Sequence, residues 1–352
     1  MNKWKKVQDL LEGERLAEDI ADGKRVLFKK GEVLDKLRID ALLKMGIERV
    51  YVEAVDFYEY KDSDLEKRDI KLLLNHEIVE YAKKKIKNVI ENVKKEEEFD
   101  PKVIEELSEN IFEGIVLNYK ENVFLNLIKL KSYDEYTFTH QFNVTVLSTL
   151  VSLELGLDKD IVKKISFSSL IHDIGKLKIP LKILKASRSL TPQEFEIIKL
   201  HPVIGKKIAL NSGVIDESIL SCILHHHERM NGSGYPEKLR GEDIDLFARI
   251  VAVADVYDAL TSERPYKSAW NPYEAMSNLI QSVDIFDSKV MNALIRVFGI
   301  YPPGTRFLLS NGERCVVIGT KKGKVFRPVV LSDNGEIIDL SKRKDLKIIK
   351  VG

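Results

Sequence analysis

Seven histidines occur in the chain, and six of them fall between His140 and His227, the last three consecutively at His225, His226 and His227. His172 is followed at once by Asp173, so imidazole and carboxylate can converge on one cation, and the two oxygens of the carboxylate can bridge two. Nitrogen and oxygen donors brought together from different helices suit a first-row transition metal. Asp255 places a charge inside the apolar run Val251 to Leu260. Burying it unpaired would be expensive, and either a metal or a buried Arg or Lys removes that cost. His140 lies early on an amphipathic stretch with Val144 and Leu147 one and two turns on. These residues divide into one site of His140, His172, Asp173 and Asp255 and a second of His201, His226 and His227, with Asp173 between them. A lone histidine on an apolar helix face is more often a core residue bonded to a carbonyl. A His-Asp doublet, a His-His pair and two further histidines would require several such coincidences together.

The elements that must position these residues are mainly helical. Residues 101 to 298 show helical spacing nearly throughout, over Val103–Asn118, Val123–Lys131, Tyr136–Leu155, Lys159–Asp173, Thr191–Asn211, Glu217–His226, Phe247–Ser262 and Pro272–Phe298. Thr191-Pro192-Gln193-Glu194 is a helix start, with Thr191 as cap, Pro192 at the first helical position and Glu194 able to reach back. Before this all-helical region, residues 1–56 read as a small α+β domain: strands over Arg15–Ile20, Arg25–Phe28 and Arg49–Val52, and a helix from Asp35 to Met45 stopped by Gly46. Residues 57–125 read as a helical linker or signalling region. Its apolar positions, Ile70 to Val93, lie mostly on one face of a long helix, which serves either a homodimer or packing on its own domain. After Ile300, short alternating segments divided by Asn311-Gly312, Lys322-Gly323 and Asn334-Gly335 predict a small β-barrel or β-meander over 301–352. The helical catalytic domain is thus expected over 126–300.

Composition narrows the function. A net charge of +1 argues against a protein that coats DNA, while leaving room for a local basic pocket. Cys222 and Cys315 are too far apart to form a redox or metal pair, which fits a reducing compartment. No apolar run approaches the length of a bilayer span, and no signal region follows Met1, so the expected location is cytoplasmic, with no membrane partner. Gly232-Ser233-Gly234-Tyr235-Pro236 permits a loop of unusual dihedrals that presents the Tyr235 hydroxyl and ring at the edge of the site.

His172-Asp173-Ile174-Gly175-Lys176, His226-His227-Glu228-Arg229, Gly232 to Pro236, Asp255-Val256-Tyr257-Asp258-Ala259-Leu260-Thr261-Ser262 and Arg264-Pro265-Tyr266-Lys267 occur in that order. Over roughly residues 130–298 the chain closely resembles the HD-GYP family of cyclic di-GMP phosphodiesterases, a branch of the HD metal-dependent phosphohydrolases. The resemblance implies an HD-type helical bundle and two divalent metal ions, iron or manganese. They would share a hydroxide, held also by Asp173, that attacks a phosphodiester. It further implies that Lys176 stabilises charge on a phosphate oxygen, that Arg264 and Lys267 clamp phosphate or guanine, and that the Gly232–Pro236 loop contacts a protein partner. Two departures stand out. His225 precedes the expected pair, and Tyr136 stands where some members carry the Glu of a third metal site, so two metals are expected. Three functions follow: hydrolysis of cyclic di-GMP to pGpG and onward to GMP, hydrolysis of another cyclic dinucleotide or nucleotide, or a catalytically silent sensor.

Overall fold

The computed structural model describes residues 2–23, 25–53, 74, 76–119, 133–186, 188–262 and 269–351. The chain divides into two compact units, each with its own core. The first joins the two ends of the chain, residues 1–70 and 298–352, with a short piece at 271–273. The second is helical and holds residues 71–270 and 274–297.

In the first unit, β1 (Lys3–Lys6), β2 (Ile20–Asp22), β3 (Arg25–Phe28), α1 (Lys36–Lys44) and β4 (Arg49–Val52) enclose Leu16, Leu34, Leu42 and Val52. β1 pairs antiparallel with β4, and β2 with β3 across the Asp22-Gly23 turn. The strand expected over Arg15–Ile20 reduces to single bridges at Arg15 and Leu16 and the short β2. Asp35 caps α1 by accepting from the Arg38 amide. In the same unit, β5 (Arg306–Leu309), β6 (Arg314–Gly319), β7 (Val329–Ser332), β8 (Ile337–Asp339) and β9 (Ile348–Val351) form one antiparallel sheet in the order β8-β7-β6-β5-β9. This is a meander with β9 added beside β5. No pairing joins β8 to β9 among the described residues, so the sheet is open where a barrel was one of the expected forms. Arg15 ties the two ends of the chain together, donating to the carbonyls of Gly31 and Gly312.

The helical unit is built from α2 (His76–Glu96), α3 (Pro101–Tyr119), α4 (Tyr133–Glu154), α5 (Lys159–Ile171), α6 (Leu181–Leu184), α7 (Pro192–Ile198), α8 (His201–Asn211), α9 (Glu217–His225), α10 (Leu246–Thr261), α11 (Pro272–Gln281) and α12 (Ser288–Phe298). The helix expected over Val123–Lys131 lies outside the described residues. On α2 the apolar face carrying Ile86, Val89 and Val93 is buried, and Gly114 of α3 leaves room for Leu74 and Ile78. The centre of the unit is α4, buried on all sides from Thr139 to Ser152. Thr145, Thr149 and Ser152 return their hydroxyls to carbonyls one turn back, as Thr145 does to Gln141, and so can be buried beside Phe142 and Leu147. Such small side chains let α5 approach α4 closely, and Thr149 and Ser166 share a hydrogen bond of 2.6 Å across that contact.

Two stretches expected as single helices are pairs in the structure. The helix expected over Thr191–Asn211 breaks at Lys199-Leu200 into α7 and α8, because Pro202 has no N–H for the carbonyl of Ile198 four residues back. The one expected over Pro272–Phe298 breaks between α11 and α12. There Asp287 accepts from the amides of Lys289 and Val290 and so begins a new helix. The capping box at Thr191 and Glu194 is present in full.

Candidate metal centre

The break at Pro202 has a chemical consequence. The Ile198 carbonyl that a continuous helix would have used instead accepts from His201 Nδ1 at 2.7 Å. The same device holds two more imidazoles at helix ends. His172, closing α5, donates from Nδ1 to the Ser169 carbonyl at 2.7 Å, and His226, closing α9, donates to the Ile223 carbonyl at 2.9 Å. A carbonyl oxygen can only accept, so each Nδ1 carries the proton and each Nε2 presents a lone pair. His140 on α4 follows the same rule with a different acceptor: its Nδ1 lies 2.7 Å from Asp258 Oδ2.

These lone pairs meet around Asp173. The residue follows α5 at φ −100° and ψ 10°, where the chain turns into the 3₁₀ segment Ile174–Lys178. Its Oδ1 lies 3.2 Å from His201 Nε2 and 3.5 Å from His226 Nε2, and its Oδ2 lies 3.4 Å from His140 Nε2 and 3.5 Å from His172 Nε2. Asp255 on α10 sends Oδ1 to within 3.2 Å of His140 Nε2 and Oδ2 to 3.8 Å from His227 Nδ1. Two groups result, Asp173 with His201, His226 and His227, and His140 with His172 and Asp255. Within each, one donor atom per residue lies within 4.8 Å of all the others, as a metal ion requires. The seven residues singled out as metal ligands in the sequence are therefore side by side, and all but His227 are buried.

Asp173 Oδ1 is buried with no hydrogen-bond partner, and so is His172 Nε2. His201 and His226 point lone pairs at Asp173 Oδ1 and, 3.3 Å apart, at each other. Such an arrangement is repulsive until a cation occupies it. The donor set thus fits a metal ion on the geometry of this chain alone.

Burial sets the protonation states. It lowers His172 to about 4 and lowers His201, His226 and His227 as well, so all four imidazoles are neutral near pH 7 and ready to ligate. For Asp173 burial opposes ionisation, but the Lys176 ammonium beside it counters that and the carboxyl stays well below its ordinary range.

Lys176 reaches Asp173 because a 3₁₀ turn places residues three apart on one face, and its Nζ donates to Oδ2. Gly175 makes the turn fit: a Cβ there would stand 2.0 Å from the His201 carbonyl oxygen, so any side chain would push α8 off the site. Tyr235 lies at the edge, its ring stacked on His227 with centroids 4.8 Å apart. Its loop is folded by Glu228, whose Oε1 accepts from the amides of Glu237 and Lys238. Gly234 lets the loop pass the Glu228 backbone, since a Cβ there would lie 2.4 Å from Glu228 Cα. His225 points elsewhere, to Ser221 and Glu237. Arg264 and Lys267 lie outside the described residues.

Asp258 and Glu228 stand within the sequence motifs, but sequence reasoning gave them no role. The signal that could have found Asp258 is its spacing, three residues beyond Asp255 on the same helix face.

Residues 122–290 match the family model described as an HD domain, and residues 12–54 match a domain of unknown function. The chain is 40% identical over 197 residues to a cyclic di-GMP phosphodiesterase of Pseudomonas aeruginosa, covering 56% of this chain and 48% of that one. It is 44% identical over 149 residues to a cyclic di-GMP phosphodiesterase response regulator of Xanthomonas campestris pv. campestris, covering 42% and 39%. Residues 122–290 thus carry an HD domain similar to those of cyclic di-GMP phosphodiesterases. A third relative, a 3′3′-cGAMP-specific phosphodiesterase of Vibrio cholerae, is 35% identical over 173 residues, 49% of this chain and 39% of that one. The chain spans about half or less of the length of these curated relatives. Among the described residues no helix is long and apolar enough to cross a membrane.

Proposed function

We propose that this chain is a metal-dependent phosphodiesterase of the HD-GYP family that hydrolyses cyclic di-GMP to pGpG, with GMP as the product of a second cut. The observation that carries the reading is the buried, unpartnered Asp173 Oδ1 facing the lone pairs of His201 and His226, while Oδ2 of the same carboxylate faces His140 and His172. On this reading His140, His172 and Asp255 would hold one divalent cation, iron or manganese, and His201, His226 and His227 a second, with Asp173 contributing to both. Such cations supply Lewis acidity and lower the pKa of water in the site.

The chain's own groups do the rest. Lys176, one-third exposed at its tip, can leave Asp173 for a phosphate oxygen and stabilise the negative charge that grows there. Tyr235 offers its ring and hydroxyl to the substrate from the rim, and its phenol stays protonated because burial raises its pKa. Arg264 and Lys267, just beyond α10, are assigned to the second phosphate or a guanine edge. The Gly232–Pro236 loop is assigned to a protein partner, the helical region ahead of the site to a homodimer, and the cytoplasm is the expected compartment. The similarity to the 3′3′-cGAMP-specific enzyme favours a second reading, another cyclic dinucleotide as substrate. A silent sensor is disfavoured by the intact seven-residue cluster and Lys176, since binding alone needs no charge stabiliser.

The test is chromatography of anaerobically purified protein with cyclic di-GMP and with 3′3′-cGAMP in parallel. Conversion of cyclic di-GMP to pGpG or GMP supports the first reading. Faster loss of the other nucleotide moves the assignment to the second, and binding without loss of either moves it to a sensor.

A further inference from the structure

The two halves of the cluster are held by unlike partners. Behind His172, His201 and His226 stand neutral backbone carbonyls. Behind His140 stands a carboxylate, Asp258, 1% exposed, whose Oδ2 takes the Nδ1 proton and whose Oδ1 accepts from Asn143 Nδ2 at 2.8 Å and Ser262 Oγ at 3.0 Å. Each of these three contacts brings a donor to the carboxylate, which fixes it in place and leaves His140 Nε2 as a lone pair aimed into the site.

The half containing His140 thus has Asp255 in contact and Asp258 one imidazole away, two carboxylates beside the shared Asp173. Lys176 offsets part of this through Asp173 Oδ2. The half containing His201, His226 and His227 has no carboxylate in its group besides Asp173, and Asp255 approaches it only through Oδ2, 3.8 Å from His227 Nδ1. The half-buried Arg229 guanidinium donates to the His226 carbonyl at 3.2 Å and to that of Glu228 at 2.8 Å. A cation meets more negative charge in the first half than in the second.

We propose that Asp258 is a positioning residue that locks His140 as the Nδ1–H tautomer and makes the His140, His172 and Asp255 half bind its cation more tightly than the other. The site then loads in order, first half first, and loses the second cation first on dilution or chelation. This rests on the two-cation reading above.

The test is titration of chelator-stripped full-length protein with Mn²⁺ by calorimetry, with thermal melts of every variant. Wild-type protein should bind two cations in classes separated by about tenfold or more. His140→Ala should lose the tight class and His227→Ala the weak one. Asp258→Asn should keep both classes but weaken the tight one by about 10- to 100-fold, and Asp258→Glu should restore part of the loss. Two equal classes in the wild type would overturn the proposal and leave the two-cation reading standing. A single cation per chain would overturn both. If Asp258→Asn weakened both classes alike and lowered the melting temperature, its role would be structural and the proposal wrong; the wild-type titration decides the asymmetry even if that variant fails to fold.

Discussion

The two compact units treat buried polar groups in opposite ways. In the sheet-bearing unit, buried Glu14 accepts from Lys5 Nζ at 2.9 Å and from the Leu11 amide at 3.1 Å, and buried Thr305 donates to the Pro302 carbonyl. Among its described residues no buried side-chain polar atom lacks a partner. In the helical unit several buried side-chain atoms lack one, and two of them, Asp173 Oδ1 and His172 Nε2, meet in the histidine cluster. Burying polar atoms unsatisfied costs stability, so a fold that keeps two at one point, with lone pairs converging on it, is built around something it binds. The sheet-bearing unit is complete as a fold. The helical unit holds a cluster of ligating atoms fit for a metal ion.

The sharpest way to break this comparison is Asp173→Ala. It should bring phosphodiesterase turnover to background and reduce bound metal from about two ions per chain to one or none, because one residue serves both halves. Full activity in that variant, measured by product chromatography beside metal analysis, would remove Asp173 from its bridging role. Lys176→Ala comes next. Losing a donor to developing charge should lower kcat by about 10²- to 10³-fold with metal content unchanged. A matching loss of metal would mean that Lys176 holds the site together and does not serve the reaction.

Acid should separate the two units. His172 has a pKa of about 4 in the fold against 6.5 when exposed, so the unfolded chain binds the extra proton first. The stability that goes with its neutral form is intact above pH 6.5 and is lost as pH falls from 6.5 towards 4, at most about 3 kcal/mol for this group. In metal-stripped protein, melting followed by hydrogen exchange should show the helical unit weakening across that window, with the sheet-bearing unit changing less. The smallest effect is expected from Glu14→Ala, which takes away the buried acceptor of two part-buried donors, Lys5 Nζ and the Leu11 amide. It should cost the sheet-bearing unit about 1–3 kcal/mol and leave metal content and turnover untouched. A change in turnover would show that the two units are coupled.

What could be read in the sequence follows the same division. The seven candidate ligands, which the fold brings together, were legible because imidazole and carboxylate are unusual in apolar helical stretches, and packing alone does not account for so many of them in that order. Their holders were less legible. His201 is aimed by a carbonyl that Pro202 sets free, a consequence visible only once the long stretch Thr191–Asn211 is seen to break. Asp258 reads as one more acid on α10 until the fold brings α4 against it, 118 residues away in sequence. The same limit applies to the sheet. Alternation and Asn-Gly turns mark strands β5 to β8, but closure into a barrel depends on edge pairing that no local pattern encodes. β1 was missed because Lys3-Trp4-Lys5-Lys6 has almost no apolar side, and its pairing with β4 is decided by register across the long intervening segment.

The most direct measurement is anomalous diffraction from crystals of manganese-loaded protein. Two peaks are predicted, one beside His140, His172 and Asp255 and one beside His201, His226 and His227, with the Asp173 carboxylate between them. A single peak, or peaks away from Asp173, would contradict the dinuclear site on which the proposed phosphodiesterase chemistry depends.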